Sequence, residues 1–89
     1  MNNEHLRLFV RIAVTQNISM AGNELGLSPP VASMHINKLE EALGVKLIHR
    51  TTRKVSLTEE GREFLPHAEE VLNAVDSACL LYTSDAADE

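Results

Sequence analysis

The sequence predicts a mostly α-helical fold, a winged helix-turn-helix. It has a three-helix core, a short β-hairpin wing and a long C-terminal linker helix. Three observations predict it. Apolar residues recur at 3- and 4-residue steps in several segments, the spacing of amphipathic helices. Only about three residues, Gly26 to Ser28, separate the second helix from the third, and such a tight joint with a glycine marks a helix-turn-helix. After Gly44 the period changes to alternation in two short runs around a basic turn. These signals divide the chain into a domain over residues 1–58, with its helix-turn-helix at about 18–37 and its wing at about 46–57, a dimerisation linker helix over 59–80, and a disordered or foreign tail over 81–89.

The first helix is expected over Glu4–Gln16, where Leu6, Phe9, Val10, Ala13 and Val14 share one face and Arg7 and Arg11 the other. Asn17 is suited to end it, since Asn tolerates the left-handed conformation found just past helices. Ser19 is the expected cap of a short second helix over Met20–Leu25, whose small Ala21 and Gly22 allow a neighbouring helix to come close. Gly26 closes it. Ser28 opens the third helix, and Pro29 and Pro30 fit a first turn in which the amides have no helical partners. Val31, Ala32, Ile36, Leu39 and Leu43 continue an apolar stripe to Gly44. Residues 45–50 and Val55-Ser56-Leu57 alternate as strands, with Thr51, Thr52, Arg53 and Lys54 between them. Thr58 is a good N-cap, and Glu59 and Glu60 suit the first turn of a helix dipole. The helix that follows should bend at Pro66. Its stripe of Phe64, Leu65, Ala68, Val71, Leu72, Val75 and Cys79 is longer than so small a core needs, which points to a second copy as its partner.

The chain has 89 residues, of which 44% are apolar; this suits one small folded domain and argues against general disorder. A lone cysteine, Cys79, excludes an intramolecular disulfide and a cysteine-based zinc finger. No apolar run approaches the roughly 20 residues that span a bilayer, and the first residues lack the apolar block of a signal peptide. A cytoplasmic setting and no membrane partner are expected. The net charge of −5 is unevenly spread. Residues 28–54 carry five cations (Lys38, Lys46, Arg50, Arg53 and Lys54) against two acids, whereas residues 55–89 carry Arg62 against nine. Phosphate contact depends on a local basic face rather than on whole-chain charge.

The third helix is the expected DNA reader, with double-stranded DNA as partner. Ser28, Pro29, Pro30, Ser33, Met34, Asn37 and Lys38 are its candidates from the first turns and the exposed side, and His35 lies within reach. The hydroxyls of Ser28 and Ser33 can bond bases or phosphates, and Pro30 and Met34 can meet thymine methyls. Ser28 acting simply as a cap is an equally good local reading. In the wing, Arg50, Arg53 and Lys54 suit phosphate or a narrow minor groove, with Thr52 beside them. The four histidines form no HxxxH or HExxH arrangement, so no metal is expected, and no cofactor. Glu40-Glu41 and Glu59-Glu60 are consecutive and face different directions on their helices. Nothing resembles a catalytic constellation, and the chain is expected not to be an enzyme.

Taken in order, Leu6-x-x-Phe9, Ala21 before Leu25, Ser28-x-Pro30-x-x-Ser33, Ile36-x-x-Leu39-Glu40, Leu43-Gly44-x-x-Leu47, Arg50-Thr51-x-Arg53 and Leu57-Thr58-Glu59-x-Gly61 resemble the N-terminal DNA-binding domain of LysR-type transcriptional regulators. The resemblance runs from Leu6 to about Ala68. It implies a homodimer through the linker helix, regulating transcription at promoter-proximal interrupted palindromes, with Ser28, Pro29, Pro30, Ser33, Met34, Arg50 and Arg53 facing DNA. The family usually has Gln where Pro29 stands, and often a basic residue where Met34 stands. It also implies a C-terminal effector-binding domain that these 89 residues do not contain, so the chain is expected to be a truncated form that senses no small molecule unless that domain is restored. A competing expectation is an interaction fragment that pairs through its linker helix with an intact regulator.

Overall fold

A computed structural model describes residues 2–50 and 55–88, with side chains described as far as residue 78. Helix α1 spans Asn3–Thr15, and the Asn2 side chain accepts the Glu4 amide at its start. Its buried residues are Leu6, Leu8, Phe9 and Ile12, while Val14, expected on the core face, is 66% exposed. The buried arc is turned because α1 is the central element, meeting other helices and a strand rather than one neighbour. Gln16, not Asn17, takes the left-handed position, at φ 56°. Asn17 instead starts α2 (Ile18–Glu24): its side chain accepts the Met20 amide at 2.9 Å, replacing Ser19 as the cap. An Asn between two helices can end one or begin the next, and the position of the turn decides which.

The joint is as tight as expected. Gly26 sits at φ 75°, and the Leu27 amide donates to the Gly22 carbonyl at 2.7 Å. Helix α3 (Pro29–Leu43) then crosses α2 so closely that a Cβ on Gly22 would lie 2.8 Å from that of Ala32. Strands β1 (Ile48–Arg50) and β2 (Val55–Leu57) pair antiparallel, with Ile48 opposite Leu57, His49 opposite Ser56 and Arg50 opposite Val55. The alternation expected from residue 45 begins late: Leu47 and Ile48 are both buried, because the chain is still entering the hairpin at Leu47.

Helix α4 runs Glu59–Asp88, and Thr58 caps it as expected, accepting the Gly61 amide at 2.9 Å. Pro66 lies inside it without ending it. The backbone stays helical to Asp88, past the helix end expected at residue 80 and into the segment expected as a disordered or foreign tail. No glycine or proline follows Pro66, and extending a helix fixes far less backbone per hydrogen bond than starting one.

The stripe of α4 is divided between the chain's own core and its surface. Ala68 and Leu72 are buried within the chain, and Phe64 and Leu65 pack on the same core, with the Phe64 ring 5.7 Å from that of Phe9. α1 requires a cover, and α4 supplies it; the Arg7–Asp76 ion pair extends the contact. Of the residues expected to face a partner, Val71 is exposed and Val75 half-buried, while the Cys79 side chain lies outside the described residues. Among the described residues, no helix is long and apolar enough to cross a membrane.

Candidate nucleic-acid interface

The N-terminal end of α3 stands clear of the core. Ser28, Pro29, Pro30, Met34, Asn37 and Lys38 are exposed and Ser33 is half-buried. Ser28 occupies the N-cap position, yet its side chain makes no capping bond within the described residues. Pro29 and Pro30 remove the first two amides of the helix, so a cap has less to satisfy there.

The wing is attached to α3 by a residue that sequence reasoning passed over. Glu40 is 7% exposed, and its Oε2 accepts the Leu47 amide at 2.8 Å and the Ile48 amide at 3.3 Å. These are charge-assisted bonds in a buried setting, the strong kind. Lys46 Nζ lies 3.7 Å from the other oxygen, but its side chain is 79% exposed, so this pair contributes little to holding the wing. A readable signal for Glu40 existed: it falls one turn after Ile36 and beside Leu39, on the apolar face.

Thr58 completes the attachment from the other side. Its hydroxyl donates to the Lys46 carbonyl at 2.7 Å, and its amide donates to the Leu47 carbonyl at 3.0 Å. Gly61 allows this approach, since a Cβ there would lie 2.1 Å from the Leu47 carbonyl oxygen. The start of α4, the wing root and the C-terminal half of α3 thus form one hydrogen-bonded joint.

Held this way, β1 brings Arg50 to the exposed side of α3, where its Nη2 donates to Asn37 Oδ1 at 3.0 Å. Pro30, Met34, Asn37 and Lys38 follow one another at helical spacing toward that contact. Recognition helix and wing cation therefore share a surface. Thr52, Arg53 and Lys54 lie outside the described residues.

His35 stands apart from these side chains. It is half-buried, its ring centroid lies 4.6 Å from that of His5 on α1, and its Nδ1 is buried with no hydrogen-bond partner among the described residues. It serves the α1–α3 contact rather than the outer face, because its position lies off the Pro30–Met34–Asn37 line. Burial, and next the neighbouring His35, hold the His5 imidazole below its ordinary value. The arginines of α1 are likewise engaged. Arg11 donates to both oxygens of Glu24, at 2.7 and 3.1 Å, and holds that carboxyl below the usual range; Arg7 donates to Asp76 Oδ1 and likewise lowers that carboxyl. Among the described residues no group of three or more His, Cys, Asp or Glu side chains is placed to hold a metal ion.

Comparison with known proteins agrees with this geometry. The family described as "Bacterial regulatory helix-turn-helix protein, lysR family" matches residues 3–62. The chain is 47% identical over 72 residues to a probable hydrogen peroxide-inducible genes activator of Mycobacterium xenopi, a match covering 81% of this chain and 38% of that protein. It thus spans well under half the length of this curated relative. Among solved structures, it is similar to the CbnR DBD–DNA complex, with TM-score 0.88 and 29% identity over 97% of this chain and 99% of that one. It is also similar to the BenM DBD bound to benA site 1 DNA, with TM-score 0.86, 34% identity and full coverage of both chains.

Proposed function

This chain belongs to the lysR family of bacterial regulatory helix-turn-helix proteins, and on that premise we propose that it binds double-stranded DNA to regulate transcription. In this reading α3 enters the major groove by its N-terminal turns, and the wing lies on the flanking backbone. The single observation that carries the proposal is the Arg50–Asn37 bond, which sets a wing cation beside the exposed face of the recognition helix. The similar chains solved with DNA, CbnR DBD and BenM DBD, support it. The relatives are regulators, and the function proposed is binding rather than catalysis.

Salt dependence tests it. Arg50→Ala is expected to weaken binding and lower the slope of log affinity against log salt by about one unit, the signature of one lost phosphate contact. Asn37→Ala keeps the charge, so it is expected to weaken binding with little change in slope. Affinity indifferent to salt would reject the basic wing as a phosphate-binding element.

The finer reading is a homodimer at promoter-proximal interrupted palindromes, joined through α4. Among the described residues, Val71, 47% exposed, and the half-buried Val75 are the stripe residues left for a partner. Replacing both with Asp is expected to give monomers and to weaken binding to a two-half-site duplex more than to a single half-site. Sedimentation that still reports dimers would exclude this face.

A further inference from the structure

We infer that this chain reads its operator chiefly through the 5-methyl groups of thymine, with Met34 as the specificity-determining side chain. The inference rests on the DNA-binding reading above and adds to it the chemistry of the sequence that is read. Bidentate readers of guanine are Arg and Lys, and those of adenine are Asn and Gln. From Ser28 to Ile36, the turns that reach base edges, α3 contains none of the four. The polar groups that are present have other partners or little discrimination. His35 is turned onto His5. Asn37 lies beyond these turns and already accepts Arg50 through Oδ1, the atom an adenine amino group would need. Lys38 is one turn past Met34, toward the C-terminal half of the helix, and suits the phosphate backbone. Ser28 and Ser33 carry hydroxyls, which serve as donor or acceptor with any base.

What remains on the outward line is apolar: Pro29 and Pro30, exposed at the tip, and Met34, 47% exposed one turn further on. The thymine methyl is the one apolar group that B-DNA presents in its major groove. A half-exposed Met on a helix face that also carries the exposed Asn37 and Lys38 meets water in the free protein and gains by covering such a methyl. Its unbranched thioether can reach across a base step, and no other exposed side chain in these turns is both apolar and that long.

The test uses the 89-residue chain and duplex DNA. A preferred site is selected from random duplexes, and each thymine is then replaced in turn by deoxyuridine, which removes the methyl and leaves every hydrogen-bonding group. Loss of affinity of about fourfold is expected at each thymine facing Pro30 or Met34, the effect of one buried methyl-sized group. Met34→Ala, a change at an exposed helical position, is expected to erase the thymine–uracil difference at one position per half-site and to leave the others. Equal affinity for thymine and uracil throughout, or a Met34→Ala protein that keeps every difference, would overturn the inference while leaving DNA binding intact. Failure to enrich any sequence would overturn both.

Discussion

Replacing Gly61 with alanine is expected to destabilise the domain by about 3 kcal/mol, the upper range for an overpacked site. For a domain of this size that corresponds to a melting temperature lower by roughly 12–24 °C. The added Cβ would lie 2.1 Å from the Leu47 carbonyl oxygen, which is backbone and already accepts the Thr58 amide. A flexible side chain could swing away; this atom can move only if α4 withdraws from the wing root. Withdrawal would also stretch the Thr58 hydroxyl's bond to the Lys46 carbonyl and its cap of the Gly61 amide. Thermal unfolding followed by circular dichroism gives the answer. A melting temperature within a few degrees of the parent's would mean that α4 does not approach the wing this closely.

Glu40→Ala should have an effect of similar size, about 3 kcal/mol, for a different reason: the buried amides of Leu47 and Ile48 lose their acceptor together. Glu40→Gln retains a carbonyl acceptor without the charge, and about 1 kcal/mol is expected. The ordering Ala worse than Gln separates loss of an acceptor from loss of charge. Amide hydrogen exchange should localise the damage, with Leu47 and Ile48 losing protection first in Glu40→Ala. DNA affinity should fall in parallel even where the protein remains folded, because Arg50 is carried by the strand these amides begin. Unchanged exchange at those two amides would reject Glu40 as the anchor of the wing.

Much of the architecture was legible in the residues themselves. The Gly26–Ser28 joint, the proline-opened third helix and the Thr58 cap are local features, decided by backbone conformations that only certain residues favour. Close packing at Gly22 was legible for the same reason: a missing side chain is visible in the sequence even when its neighbour is not. The candidate site was legible in part. Ser28, Pro29, Pro30, Met34, Asn37 and Lys38 do lie exposed on or beside the face that Arg50 reaches. His35, three residues before Lys38, does not join them, because 3.6-residue periodicity turns it toward α1 and His5 supplies a neighbour from 30 positions away.

The sequence by itself determined which segments become helix or strand and where most of them begin and end to within a residue or two, although β1 starts three residues after its expected alternation and α4 runs eight residues past its expected end. Only the tertiary structure decided what meets each face. It packed Phe64, Leu65, Ala68 and Leu72 against the chain's own core, aimed the Glu40 carboxylate at two amides of the wing root, and set Arg50 against Asn37. The reason is physical: hydrophobic burial has no direction, so an apolar stripe fixes that a surface will be covered but not by what. A buried carboxylate, likewise, is bound to find donors, while the fold alone chooses which ones.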